Sequence, residues 1–484
     1  MFLLAFICIS ISSLLFILLL KAQKSNLPPS PPSLPFIGNL HQVGLVSQQS
    51  LNALSRKHGP LMLLHLGRVP TIIVSSPEVA EEVMRKQDDV FASRPSTKAW
   101  NLLLYGSRNV GFAPYGKYWK QAKRLYITHL LGPMKVKSFD RMREVEVLAA
   151  VEKIRHAHKC SNPIDLSEVF SSYTLDIICR IVSKNFSKKH LLRELIEEGT
   201  PLFSEFNFED YFPTLQCLDI FTGFNSKVNK MFNQWDELLD EVIQQHKNRP
   251  VDGEKDELLV DMLLTLQANN SGGFELTKDH VKAILIELFA GGSHTTFITI
   301  EWAMAELIHN QKAMKKLQQE IRQIGNVQHI LTNKDIKEMP YLTSVIKETL
   351  RLHPPAPLLV PRESMHDTNV KGYDIPKGTK VLINAWSINR DPNYWENPDE
   401  FSPERFMEKN NVDFWGNNFE FIPFGAGKRL CPGINFAQSN IELILANILY
   451  HFDWELPRGD VSLDMSEAAG LSARRAQKLC LIPR

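Results

Sequence analysis

The sequence predicts a mainly α-helical fold with a small β-rich part. Three observations carry that expectation. Between about residues 114 and 350 the apolar positions recur mostly at helical spacing, with loops near 158–164, 248–256 and 268–275. Two stretches, LMLLHLGRVPTIIVS at 61–75 and KGYDIPKGTKVLINA at 371–385, have strand and turn patterns instead. Nothing after residue 40 reads as an interdomain linker, so residues 41–484 are expected to form one large domain.

The chain opens on MFLLAFICISISSLLFILLL, residues 1–20, with no charged side chain before Lys21. About twenty apolar residues suffice to cross a bilayer core. A cleaved secretory signal would have a basic start, a shorter apolar core and a small-residue cleavage site. Here the start is uncharged, and Lys21 and Lys24 flank the far end. Positive charge prefers the cytosolic side. Residues 1–20 are therefore expected to be an uncleaved, single-pass anchor with the bulk of the chain in the cytosol. Residues 21–40 follow as a hinge. Pro28, Pro29, Pro31, Pro32 and Pro35 cannot continue a helix and give a stiff, extended spacer.

Further along, the 61–75 stretch reads as two short strands around Gly67 to Pro70, and Pro77 to Lys86 as a helix beginning near its proline. Residues 115–124, YGKYWKQAKR, open a basic helix, and Lys117, Lys120, Lys123, Arg124, Lys135 and Lys137 crowd this region. That is either a solvated charged face or a docking patch for an acidic redox partner. A buried helix is expected over about 278–308, which contains ELFAGGSHTTFITIEWAMAEL. Gly291 and Gly292 inside it each cost about 1 kcal/mol against alanine, so something must approach the backbone there. In KETLR, residues 347–351, Glu348 and Arg351 share one helix face. An exposed pair of this kind would be worth little, but the helix ends in RLHPPAP, which points to burial under a proline-turned segment.

Composition excludes several classes. The 484 residues are 44% hydrophobic and 23% charged, a globular balance with length for a large core. A net charge of +1 gives no bulk polarity for nucleic acid. The six cysteines show no C-x-x-C spacing, which argues against a zinc site or disulfide framework and fits a reducing compartment. No P-loop, H-E-x-x-H or flavin/NAD fingerprint appears, so any electrons must come from another protein.

The most specific signal is FGAGKRLCPG, Phe424 to Gly433. A lone thiolate in a glycine-shaped loop can be the axial ligand of a haem iron. Glycines let the backbone curl so that amide N–H groups point at the sulfur, stabilising it. Arg429, two residues before Cys431, is placed to meet a haem propionate. A dinucleotide-binding reading of Gly425 and Gly427 fails, because position 430 is Leu430. The rival reading of Cys431 is a buried, inert cysteine.

The F-x-x-G-x-R-x-C-x-G string, Phe424, Gly427, Arg429, Cys431 and Gly433, resembles the haem-binding loop of cytochrome P450 enzymes, and the resemblance spans residues 28–484. It implies the cytochrome P450 fold, a helical haem-thiolate domain holding haem b (Fe-protoporphyrin IX), with Cys431 as iron ligand. Glu348 and Arg351, with Arg405 of PERF, match the interlocked residues that hold the haem-side core. Gly291 to Thr296 match the pattern A/G-G-x-D/E-T-T/S of the helix that crosses the haem. Thr295 then stands for the threonine that helps deliver protons during oxygen activation. His294 departs from the pattern, since an acid usually sits there. It can relay protons, or be a satisfied polar group with Ser293 or water carrying the relay. Trp119 matches the tryptophan of W-x-x-x-R, but Lys123 replaces the arginine and lacks its bidentate fork. Arg362, in LVPRES, is a further propionate candidate.

The resemblance is to plant microsomal members of specialised metabolism. It implies a monooxygenase in the endoplasmic reticulum membrane, using O2 and electrons from NADPH-cytochrome P450 reductase, with cytochrome b5 as an optional second donor. Segments 96–112, 201–212, 287–295, 355–359 and 468–472 are expected to face the substrate, and their Phe, Leu, Ala and Ile suit a lipophilic small molecule. Two alternatives stay open at this level. One is a haem-thiolate enzyme that rearranges or dehydrates an oxygenated substrate without a reductase. The other is a non-catalytic haem or lipophile carrier.

Overall fold

The computed structural model describes residues 26–160, 162–184, 186–247, 258–269, 274–325, 329–408, 412–457 and 462–484. The expected anchor, residues 1–20, and the loop at 248–256 lie outside these described residues. The principal helices are α1 (Lys117–Leu125), α2 (Asp140–Lys159), α3 (Leu166–Val182), α4 (Lys189–Leu202), α5 (Phe224–Lys247), α6 (Lys278–His309), α7 (Pro340–Leu352) and α8 (Ile434–His451).

Helix α6 is the axis of the molecule. It starts at a reciprocal cap: Thr277 Oγ1 accepts from the His280 amide, while His280 Nδ1 accepts from the Thr277 amide at 3.1 Å. It is apolar on nearly every face, as a helix surrounded by others must be. Ile284, Phe289, Ile298, Trp302 and Leu307 are all but inaccessible, with α3, α7 and α8 packed around them. Its length and hydropathy would allow a membrane span, but its burial makes it a core helix.

The β part is small. Strands β1 (Leu61–Leu66) and β2 (Val69–Val74) form the expected hairpin, and Val74 pairs with Leu61 at its open end. At the turn, Gly67 has φ +64°, and a Cβ there would sit 2.4 Å from the Tyr211 carbonyl oxygen. Short strands occur in other contexts: β3 (Ile164–Asp165), β4 (Arg362–Glu363) and the β5–β6 hairpin (Thr368–Val370, Tyr373–Ile375). Strand β7 (Lys380–Ile383) pairs parallel with β2 and antiparallel with β4, giving the sheet order β1-β2-β7-β4. Strands β8 (Trp454–Glu455) and β9 (Cys480–Pro483) pair with each other, and β9 with β3.

The proline-rich segment runs extended along this sheet. Pro28 and Pro31 are buried, the Pro29 carbonyl accepts from the Leu63 amide at 2.9 Å, and Asn39 Nδ2 donates to the Pro31 carbonyl at 3.3 Å. The Pro77 helix begins under a Ser76 cap and widens into a π-turn over Glu82–Lys86.

Glu348 and Arg351 are fully buried, not a surface pair. Arg351 grips the carboxylate with Nε at 2.7 Å and Nη2 at 2.9 Å, and Arg405 Nε reaches the same carboxylate at 2.9 Å. Their remaining donors go to the carbonyls of Asn389, Pro398, Glu400, Glu396 and Asn397. Removing one partner of a buried ion pair strands the other charge. Glu348→Ala is therefore expected to cost about 3–5 kcal/mol. Lys316→Ala, which removes an exposed pair with Glu404, should cost under about 1 kcal/mol. Thermal unfolding of the two variants checks the contrast, and equal losses would contradict it.

Candidate active site

The Phe424–Gly433 loop enters from the core and delivers Cys431 to the start of α8. Its curl is dictated by space: Gly427 has φ +66°, and a Cβ there would lie 2.1 Å from the Met84 carbonyl oxygen and 2.5 Å from Asp88. The Cys431 amide donates to the Phe424 carbonyl at 3.1 Å, and the Gly433 amide donates to Cys431 Sγ at 3.3 Å. Phe424 packs edge-on against Phe414, 5.4 Å between rings, and so closes the loop's inner side. Burial pushes the Cys431 thiol up to about 11, with the Gly433 amide opposing the rise. A thiolate here requires a positive centre beside it, which a bound metal ion supplies.

Helix α6 crosses this point. A Cβ on Gly292 would touch the Phe436 ring of α8 at 3.5 Å, so the two backbones are close. The neighbouring Gly291 is exposed, with nothing within 4 Å of where its Cβ would be. Thr295 and Cys431 are each only partly covered. In a helix otherwise mostly buried, that uncovered strip marks an open space one turn beyond Glu287, whose charge reaches Cys431.

Cations gather on one side of that space. Arg429 donates to the carbonyls of Ala92 (2.7 Å), Val110 (3.0 Å) and Ala113 (2.6 Å), with its guanidinium 4.3 Å from the Trp119 ring. Trp119 Nε1 donates to the same Val110 carbonyl at 3.0 Å. Arg362 pairs with Asp88 at 3.0 Å and donates to the Ala426 carbonyl at 2.9 Å. Lys123 turns inward and donates to the Lys428 carbonyl. Arg94 joins them through the carbonyls of Gly111 (2.8 Å), Val360 (2.6 Å) and Pro361 (2.8 Å). Burial, then Arg362, holds Arg429 down to about 9. Burial, then Arg429, lowers both Lys123 and Arg94. Among the described residues, the cations of this cluster, Arg94, Arg362, Arg429 and Lys123, meet two carboxylates, Asp88 and Glu287, and Lys428 lies 3.9 Å from Asp88 as a further cation. The excess of positive charge is what a group bearing two carboxylates would neutralise. With the Cys431 thiol within electrostatic reach of Lys123, these residues fit a haem and its propionates.

Reading from sequence missed Arg94, Asp88 and Glu287. Arg94 stands alone in FASRP with no spacing to betray it. Glu287 did carry a signal, an acid inside an apolar helix. Its carboxylate accepts from the Val110 amide at 3.0 Å, the Gly111 amide at 2.5 Å and the Tyr126 hydroxyl. Burial pushes its carboxyl up against those three donors.

Along α6 the hydroxyls bond back to the helix. Ser293 reaches the Phe289 carbonyl at 2.6 Å, Thr295 the Gly291 carbonyl at 2.8 Å and Thr296 the Gly292 carbonyl at 3.0 Å. His294 is directed elsewhere: its Nε2 lies 3.1 Å from Ser472 Oγ. Burial, with Arg474 nearby, pushes His294 down to about 4, so it is neutral at physiological pH. Of the expected substrate-facing aromatics, Phe203 stacks on Phe112 at 5.7 Å, and Phe112 meets Trp100 at 4.6 Å. Phe206 and Phe208 instead pack with Tyr211 and Phe212, which lie under the β1–β2 turn.

Known proteins resemble this chain over most of its length. The family model for Cytochrome P450 matches residues 28–481. A phenylacetaldehyde oxime monooxygenase of Prunus mume is 46% identical over 473 residues, spanning 96% of this chain and 90% of that protein. Cytochrome P450 71A9 of Glycine max is 44% identical, spanning 95% and 93%. An indolin-2-one monooxygenase of Zea mays is 43% identical, spanning 96% and 90%. A zebra fish cytochrome P450 solved with abiraterone superposes with a TM-score of 0.75 at 26% identity, over 91% of this chain and 99% of that one.

The depressed His294 sets a pH test. Its folded value is about 4 against an ordinary 6.5, so the unfolded chain binds the proton more readily. The stability linked to this group is complete above about pH 6.5 and is lost as pH falls towards 4. His294→Gln should flatten the fall in melting temperature across that window. An unchanged slope would show that the imidazole is not held neutral.

Proposed function

The chain belongs to the cytochrome P450 family and is a haem b monooxygenase, and from that premise we propose that it oxidises a lipophilic plant specialised metabolite with electrons from NADPH-cytochrome P450 reductase. In this reading, residues 1–20 anchor it once in the endoplasmic reticulum membrane, with residues 41–484 in the cytosol. One observation carries the chemistry: Cys431 lies within electrostatic reach of Glu287 on α6 and of Lys123, beside a buried excess of cations.

Haem, when bound, supplies the activation of dioxygen and the oxidation of the substrate. Cys431 would hold the iron through its thiolate, and the Gly433 amide would damp the charge on sulfur. Arg94, Arg362, Arg429 and Lys123, with Trp119 beneath, would receive the propionates, and Phe424 would shield the sulfur side. Thr295 keeps a hydroxyl proton at the edge of the open space, lent to the Gly291 carbonyl at 2.8 Å. Rotating Oγ1 away from that carbonyl would turn this proton into the open space.

Two surfaces support the partners. On α1, Lys117, Lys120 and Arg124 point outward while Trp119 is buried, a basic face suited to an acidic reductase. Exposed apolar residues lie elsewhere, from Phe36 in the hinge through Phe206 and Leu215 to Ile220 and Phe221, the last 85% exposed. Arg68 links Phe36 to the 206–212 segment, its guanidinium 5.8 Å from the Phe36 ring and its amide donating to the Tyr211 carbonyl at 2.8 Å. Such a patch suits contact with a bilayer. The relatives named for an oxime and an indolinone favour a small aromatic compound, and the Trp100–Phe112–Phe203 cluster suits one. A second reading, rearrangement of an oxygenated substrate without a reductase, rests on one feature, the missing acid at 294. Dependence of turnover on NADPH separates the two.

Cys431→Ser should leave the protein expressible and abolish the thiolate-type spectrum of the ferrous carbon monoxide complex. An unchanged spectrum would remove Cys431 as the ligand. Deleting residues 1–20 should move much of the protein from the membrane fraction to the soluble one, with some held back by the apolar patch. Equal membrane content after deletion, in high salt, would show that the anchor lies elsewhere.

A further inference from the structure

Residues 467–475 form a hairpin, closed by a bridge between Glu467 and Arg475. Its base is fastened several times. Trp302 Nε1 donates to the Ala473 carbonyl at 2.6 Å, and the Ala473 amide donates to the Pro355 carbonyl at 3.1 Å. Trp302 itself is clamped, with His353 stacked on it at 3.8 Å and the Arg475 guanidinium 5.3 Å from the ring. Gln48 Nε2 holds Glu467 at 2.7 Å. Near the tip, after Gly470 and Leu471, Ser472 meets His294 of α6. That contact lies two helical turns from Trp302 and directly beside Thr295.

We propose that His294 is a positioning residue: through Ser472 it ties the hairpin tip to α6 and so sets one wall of the substrate space. The side chain is turned away from the strip formed by Gly291 and Thr295. It lines a cleft of about 40 Å³ with Ser171 and Thr174 of α3, Arg193 and Glu197 of α4, and Arg474 of the hairpin. Thr295 Oγ1 is bonded to the Gly291 carbonyl, not to the imidazole. A carboxylate at 294 would bring a charge into this buried wall. The neutral imidazole makes the same link at lower desolvation cost. The proposal rests on the monooxygenase reading only for the statement that the hairpin faces substrate.

The test uses full-length, haem-loaded protein, its loading verified by the carbon monoxide spectrum so that failure of the family chemistry is seen separately. Hydrogen exchange is followed over peptides spanning 463–479, which contain the bonded Ala468, Ala473 and Ala476 amides. His294→Ala and Ser472→Ala should each raise exchange there about fivefold, the equilibrium factor of one lost neutral hydrogen bond. The double variant should go no further, and peptides of α7 and α8 should not change. His294→Gln, whose amide sits where Nε2 does, should restore protection although it cannot titrate. Discrimination between imidazole and 1-phenylimidazole, read by difference spectra, should shift equally in the two single variants. If His294→Ala does not fold, Ser472→Ala and His294→Gln carry the test. Unchanged exchange in Ser472→Ala, additive exchange in the double variant, or failure of His294→Gln to protect the hairpin would each overturn the proposal.

Discussion

One buried carboxylate organises the ground on which the site stands. Glu348 lies in the core with two guanidiniums on it, and a charge so placed is tolerable only when paired and hydrogen-bonded. The arginines in turn donate to five carbonyls between residues 389 and 400, and that stretch of backbone positions residues 420–422. Trp395 Nε1 donates to the Glu420 carbonyl at 3.1 Å, and Asn389 Oδ1 accepts from the Ile422 amide at 3.4 Å. Two residues later the cysteine loop begins. The sulfur's place is thus inherited, through a short series of hydrogen bonds, from an ion network that makes no contact with the chemistry.

The opposite wall of the site is held by the Val110–Gly111 peptide units. Their amides go to Glu287 of α6, and their carbonyls accept from Trp119, Arg429 and Arg94. A single stretch of backbone therefore joins the crossing helix, the basic helix and the cysteine loop. Burial makes every cation here costly to keep charged, which is why the guanidinium of Arg429 falls to about 9. That cost is offset where anionic groups share the space, and it fits this region to a doubly carboxylated cofactor better than to water.

Much of the site was legible in the sequence because its signals are local. Gly427 and Cys431 sit within one ten-residue loop whose shape glycine imposes. Gly291, Gly292 and Thr295 lie within one helical turn. The helix over 278–308 was readable from its apolar periodicity, and the two strands of 61–75 from apolar runs on either side of the Gly67 to Pro70 turn. Arg94 was not legible, because its role depends on partners at Gly111, Val360 and Pro361, far apart along the chain. The outward lysines of α1 and the inward Lys123 look alike in sequence. Only the packing of Trp119 beneath Arg429 decides which of them is buried.

By itself, the sequence determined the class of fold, the glycine-shaped cysteine loop, the buried helix over 278–308 and the Glu348–Arg351 pair, since each needs particular residues at short, fixed spacing. Tertiary structure decided what those residues face. It turned His294 to Ser472 and away from Thr295, set Glu287 under two backbone amides, and laid the proline-rich segment against β1. It also separated Phe203 from Phe206 and Phe208, placing the former by Phe112 and the latter under a surface hairpin. The physical reason is common to all of these. Side-chain direction, burial and charge compensation are properties of contacts made across long stretches of chain, and no local pattern encodes the partner that arrives from elsewhere.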